Sequence, residues 1–230
     1  IALKMLTLDT TGIDGDTHVQ RFFREARATA RLRHLNTVRV FDVGQTEEGP
    51  LFLAMEMLQG PSLTTWLRRE FEGGRRISEA HTIDIAIAAL KSLGEAHRSE
   101  LVHRDVKPGN IVLHRGPDDE TIVKVLDFGI ARAVGSNLTQ TGHSLGTPAY
   151  MSPEQCRGEA LDGRSDLYAI SVLMYLMTTA ELPYASADNM ALLFMHINAP
   201  IPDPRKVEGV KLSDQFAKTL QRGLAKSADD

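Results

Sequence analysis

The sequence predicts an α+β chain in two unequal parts, and three observations predict it. Short apolar runs of strand length surround a single amphipathic helix in the first part. Apolar residues at helical spacing dominate the second part. Between them Leu58-Gln59-Gly60-Pro61 breaks both patterns, which sets the expected parts at 1–57 and 58–230.

Taken in order, Ile1 to Leu6 reads as a strand, with Lys4 set among apolar neighbours. Asp9 to Asp16 is a polar, glycine-containing loop. Thr17 and Gln20 have capping-box spacing, and Asp14 and Asp16 suit a helix N-terminus. Val19, Phe22, Phe23, Ala26 and Ala30 then recur at helical spacing, on a helix that carries Glu25. Val38 to Val43 and Leu51 to Glu56 read as strands joined by the turn Thr46 to Pro50. Past the break, Ser62 to Glu70 reads as a short helix, and Ser78 caps a long one that runs to about Arg98. Ile111 to Leu126 forms a hairpin with its tip at Arg115 to Glu120. Asp127 to Glu154 has little periodicity, and a loop of that length in a compact domain has a functional use or is disordered. Helices resume at about Ser165 to Thr179, Asp188 to Ile197 and Ser213 to Ala225.

Composition bounds the function. The chain has 230 residues, 42% hydrophobic and 24% charged, the balance of an ordinary globular protein. A net charge of −4 gives no basic field for nucleic acid. The single cysteine, Cys156, excludes an internal disulfide, fits a reducing cytoplasmic setting and reads as a structural thiol. The longest apolar stretch, Leu167 to Ala180, is too short for a bilayer, so no membrane contact is expected within this segment. The eight histidines show no paired zinc-ligand spacing. Among them His81, His114 and His143 read as surface residues.

The densest chemistry lies in His103-Arg104-Asp105-Val106-Lys107-Pro108-Gly109-Asn110, between the apolar runs Leu101-Val102 and Ile111-Val112-Leu113. Asp105 can accept a proton, Lys107 can neutralise phosphate charge, and Asn110 can offer a carbonyl oxygen to a divalent metal. A polar knot between buried segments is costly unless its groups are paired or used. Downstream, Asp127-Phe128-Gly129 follows the apolar run Val123 to Leu126. A bare Asp-Phe-Gly is common by chance, but behind that knot and a hairpin it is specific. Upstream, Lys4 and Glu25 taken alone read equally well as a solvated edge lysine and a surface glutamate.

These motifs, in this order, resemble the Ser/Thr protein kinase domain of the eukaryotic-like bacterial type. The resemblance implies a two-lobed protein-kinase-like fold, with a small β-rich N-lobe starting at the strand that bears Lys4 and a mainly helical C-lobe. It implies transfer of the γ-phosphoryl group of ATP to Ser/Thr hydroxyls of protein substrates, with Mg2+, or Mn2+ in its place. Asp105 is then the base and Lys107 its partner, while Asn110 and Asp127 hold metal. Lys4 pairs with the α- and β-phosphates and is held by Glu25. Ala2 and Val112 sandwich the adenine, Met55 guards the back of the pocket, and Glu56 and Met57 supply hinge backbone groups. His103 and Phe128 belong to a buried stack, and Gly129 permits the turn that aims Asp127.

Thr139 and Thr141 resemble paired activation-loop threonines, phosphorylated by the kinase itself through self-association, with Arg104 as the arginine that pairs with the phosphate. Thr147 braces Asp105 and Lys107. Glu154, in Ser152-Pro153-Glu154, pairs with an arginine near the end of the domain. Asp166 hydrogen-bonds the catalytic-loop backbone. Ser171 stands where relatives usually carry glycine. The resemblance also implies a glycine-rich phosphate loop before Lys4 and a closing helix after the last residue, so the 230-residue segment alone is expected to be feeble or inactive. Two rivals share the motifs in part. A small-molecule kinase lacks the segment from Gly146 to Glu154, and a pseudokinase binding module loses Lys4, Asp105 or Asp127.

Overall fold

The computed structural model describes residues 1–6, 15–47, 49–128 and 148–229, without the side chains of 15–18. Gly129, Thr139, Thr141, Thr147 and His143 lie outside the described residues.

A three-stranded antiparallel sheet opens the chain, in the order β1 (Ala2–Leu6), β3 (Leu51–Met55), β2 (Val40–Gln45). Register pairs Ala2 with Met55, Lys4 with Leu53 and Leu6 with Leu51. Successive side chains of a strand face opposite sides. Ala2, Lys4 and Leu6 accordingly share the half-buried face of β1, while Leu3 and Met5 are exposed. Helix α1 (Gly15–Thr29) covers the sheet with Phe22 and Ala26, which join Val38, Val40, Leu51, Leu53 and Met55 in one apolar core. The helix begins two residues before Thr17, so Thr17 is inside it and is not the expected cap.

A second, larger core fills the helical part. Its centre is α5 (Gly163–Thr179), packed against α3 (Glu79–Arg98) and α7 (Asp214–Gly223), with α2 (Leu63–Glu72) along one side. Leu93 and Ala96 of α3 meet Leu173 and Met177 of α5 and Phe216 and Leu220 of α7, all essentially inaccessible. The short α4 (Pro153–Arg157) and α6 (Asn189–Asn198) pack on each other beside them. Side-chain oxygens at the N-caps fix the helix starts: Ser62 for α2, Ser78 for α3, Asp162 for α5, Asp188 for α6 and Ser213 for α7. Each satisfies an N–H that the helix leaves unpaired.

The hairpin β4 (Ile111–Arg115) and β5 (Thr121–Val125) joins the two cores. Val38 N–H donates to Val125 O at 2.9 Å, Val125 N–H to Asn36 O at 2.7 Å, and the Asn36 amide to Val123 O at 2.7 Å. Lys124, buried, reaches across to Glu56 at 2.7 Å. Among the described residues no helix is long and apolar enough to cross a membrane.

Candidate active site

The loop from His103 to Asn110 has an unusual backbone, held by two distant side chains and by two of its own. Arg104 sits in the left-handed region at φ 66°, which costs a non-glycine residue roughly 1–2 kcal/mol. Asp166, 1% exposed near the start of α5, accepts from His103 N–H and Arg104 N–H, both at 2.9 Å. The Gln155 amide donates to Arg104 O at 2.8 Å. Asn110 Nδ2 donates to Asp105 O at 2.8 Å and to Asp105 Oδ2 at 2.9 Å. Lys107 Nζ lies 2.8 Å from Asp105 Oδ2 and 3.0 Å from Oδ1. The Asp105 carboxylate is thus aimed by an amide and an ammonium, yet its side chain keeps 29% of its surface open.

Asp127 is brought to the same place. Leu126 N–H donates to Asn110 O at 2.9 Å, and Leu126 O accepts from His103 Nε2 at 2.7 Å. His103 is fully buried, and its Nδ1 accepts Asp105 N–H at 3.3 Å, which leaves the proton on Nε2. Its ring lies 4.7 Å from the buried Phe128 ring. Asp127 itself has φ 60°, and its Oδ2 receives Lys4 Nζ at 2.7 Å. The ion pair of Lys4 is therefore with Asp127. Glu25, buried on α1, has Arg104 Nη1 at 3.9 Å from its Oε1. The left-handed turn at Asp127 carries its carboxylate to the strand lysine, where the sequence reading put Glu25.

Asn110 and Asp127 carry side-chain oxygens that could serve a divalent cation. Asn110 spends its nitrogen on Asp105, so its carbonyl oxygen remains as an acceptor. Among the described residues no group of three or more His, Cys, Asp or Glu side chains could form a metal cage. Two protein oxygens suit Mg2+, which keeps waters and takes substrate phosphates rather than a full protein shell.

The residues assigned to adenine fall around the junction. Met55 is buried in the first core with Ala2 packed against it, and Val112 is half-buried on β4. The Glu56 side chain accepts Arg39 N–H at 2.8 Å as well as Lys124, and Met57 is 59% exposed. Glu154 accepts the Ser165 hydroxyl. The Cys156 thiol is pushed up to about 11, first by burial and then by Glu154, so it stays protonated at neutral pH.

Two residues of this network, Gln155 and His97, escaped the sequence reading. Gln155 completes a capping box with Ser152 at the start of α4. Ser152-Pro153-Glu154-Gln155 carries the spacing that signals one. His97 Nε2 meets Asp166 at 2.7 Å, and Gly163 makes room for it, since a Cβ there would lie 2.5 Å from His97 Nδ1. His114, expected at the surface, is half-buried, and its Nδ1 accepts Gln59 N–H at 2.9 Å.

Comparison with known proteins identifies the family. Residues 1–227 match the family described as "Protein kinase domain". The chain is 39% identical over 236 residues to the serine/threonine-protein kinase pkn3 of Myxococcus xanthus, covering all of this chain and 42% of that protein. It is 34% identical over 237 residues to the serine/threonine-protein kinase PknB of Mycolicibacterium smegmatis, covering 36% of that protein. The chain thus spans less than half the length of these relatives. A crystal structure of the Mycobacterium tuberculosis PknI kinase domain, carrying a single cysteine-to-alanine substitution, is similar with a TM-score of 0.71 at 25% identity, over 99% of this chain and 77% of that one.

Proposed function

The chain belongs to the protein kinase domain family, and on that premise we propose that it transfers the γ-phosphoryl group of ATP to serine or threonine hydroxyls of proteins. The observation that carries this reading is the convergence of Asp105, Lys107, Asn110 and Asp127 through one set of hydrogen bonds, with Lys4 on Asp127. Phosphoryl transfer asks a protein mainly for positioning and charge neutralisation. Asp105 orients the acceptor hydroxyl and takes its proton. Lys107 neutralises charge next to that carboxylate, and Lys4 is the ammonium available to the non-transferred phosphates. Mg2+, held by Asn110 and Asp127, would neutralise charge on the β- and γ-phosphates. Ala2, Met55 and Val112 form the apolar surroundings of the adenine, with Glu56 and Met57 at the hinge. In this reading the parts 1–57 and 58–230 are the two lobes, and the substrates and ATP are cytoplasmic. Phosphorylation of Thr139 or Thr141, by a second copy of the kinase, raises activity.

Asp105→Asn in the full-length protein tests the central assignment. General-base assistance is worth roughly 10²–10⁴ in rate. Phosphate incorporation into a protein acceptor should fall by about that factor, while Mg-ATP still shifts the melting temperature. Unchanged turnover in the variant would remove Asp105 from the mechanism.

A further inference from the structure

We propose that a cavity of about 560 Å³ at the C-terminal end of α5, formed by Tyr175, Glu181, Pro202, Asp203 and Glu208, binds a cationic side chain, arginine or lysine, that a protein substrate carries at a distance from its acceptor hydroxyl. The inference rests on the protein-kinase reading and adds a docking contact to it.

Tyr175 is the residue that asks for a ligand. It is 3% exposed and lines the cavity. Buried phenols usually find a hydrogen-bond partner. The Tyr168 hydroxyl has His196 Nδ1 at 2.8 Å, and the Tyr184 hydroxyl donates to Pro200 O at 3.3 Å. The Tyr175 hydroxyl has no such partner among the described residues. Burial first, and then Glu181 and Asp203, hold its phenol above the usual range, so it stays protonated beside two carboxylates.

The walls are fixed before any ligand arrives. The Thr179 hydroxyl lies 2.7 Å from Tyr175 O and 2.9 Å from Glu181 O, and it accepts Glu181 N–H at 3.1 Å. Pro200 and Pro202 have restricted backbones. Asp203 is held by Arg205 at 2.9 and 2.8 Å, and Arg205 in turn by Asp214 at 2.6 Å. That pairing offsets the charge of Asp203. Glu181, Glu208 and Lys206 remain, all exposed and without an ion pair among the described residues. Two carboxylates against one ammonium, around a phenol oxygen that can accept, favour a cation over an anion. The lysine stem is flexible enough to swing clear.

Position sets the spacing. Leu176, the next residue of α5, lines a hollow with Lys107, so the cavity lies farther round the same helix. A helix with its side chains is roughly 10 Å across, and an extended peptide advances roughly 3.3 Å per residue. One substrate chain can reach both Asp105 and the cavity only with its cation about four or more residues from the acceptor.

The test uses the full-length protein and threonine peptides that carry one arginine at successive distances on either side of the acceptor. One spacing of about four or more residues should exceed the alanine peptide by about tenfold in kcat/KM, expressed mainly in KM. Tyr175→Phe, which keeps the ring and removes the hydroxyl, should abolish most of that peak without shifting the other spacings. Glu181→Gln should lower it about threefold. Melting curves show that the fold is kept, and Glu181→Gln, at an exposed position, carries the test should Tyr175→Phe unfold. Transfer with no arginine preference at any distant spacing would overturn the docking site and leave the kinase reading standing. So would a preference that both variants leave in place. Absence of transfer to any peptide or protein would overturn the kinase reading, and the substrate role of the cavity with it. Fluorescence anisotropy of a labelled arginine peptide, weakened by Tyr175→Phe, distinguishes that failure from a cavity that holds no cation.

Discussion

At the scale of the residue, the geometry of Asp105 depends on groups that lie far from it in the chain. The peptide unit before it carries a left-handed Arg104, a conformation that survives only where the surroundings over-determine it. Asp166 holds its N–H side and Gln155 its carbonyl. Gln155 is also tied to Ser152 N–H at 3.0 Å, so the start of α4 and the loop from His103 to Asn110 share one buried amide. We expect Gln155→Met, similar in volume but unable to donate, to lower kcat by about tenfold with the KM for ATP unchanged. Gln155→Glu, which sets a carboxylate against the Arg104 carbonyl, should be worse. If Gln155→Met lowered only the melting temperature and left kcat intact, the residue would be packing and not a positioning group. The loop itself is legible in the sequence because Asp105, Lys107 and Asn110 are close neighbours in the chain and their chemistry is local. Gln155, His97 and His114 are not legible in that way. Their partners lie 51, 69 and 55 positions away, and no periodicity reports such a pairing.

At the scale of the element, helix boundaries follow the caps that the sequence displays, which is why α2, α3, α5, α6 and α7 stand close to their expected limits. Helix packing is less legible, because it depends on which small residue faces which. Ser171 is an example. In the structure its hydroxyl donates to Leu167 O at 2.9 Å and fills the space opposite Gly223 of α7. A Cβ on Gly223 would lie 2.0 Å from Ser171 Oγ and 2.9 Å from its Cβ. The serine on α5 and the glycine on α7 are thus one complementary contact. Gly223→Ala should cost roughly 1–3 kcal/mol through overpacking, a fall of several degrees in melting temperature. Ser171→Gly in that background should restore much of the loss, while Ser171→Gly alone should cost only about 1 kcal/mol. Thermal unfolding of the four proteins gives the coupling energy, and additive effects would show that the two residues do not share the space.

At the scale of the whole molecule, the two cores are joined rigidly at one end and by charges at the other. The rigid end comprises the bonds of Asn36 and Val38 to β5, the Thr37 and Ser92 hydroxyls at 2.7 Å, and Glu95 of α3. Glu95 accepts Arg33 N–H at 2.8 Å and His34 N–H at 2.9 Å. These contacts fix the chain just after α1 to the helical part. The other end is softer. Arg104, 40% exposed, stands 3.9 Å from Glu25, and Lys4 rests on Asp127. At that distance a charge pair in a partly solvated cleft is worth about 1–4 kcal/mol, within reach of a competing anion. A phosphothreonine carries up to two negative charges and takes an arginine in bidentate fashion. Phosphate on Thr139 or Thr141 would draw Arg104 from Glu25. The full-length protein with Thr139→Ala and Thr141→Ala together should therefore lose at least about tenfold in kcat, since a 1.4 kcal/mol bias is a factor of ten. Arg104→Ala should make the remaining activity insensitive to the state of the two threonines. Full activity in the double threonine variant, measured alongside a phosphatase-treated wild type, would leave the charge relay between the lobes without a regulatory role.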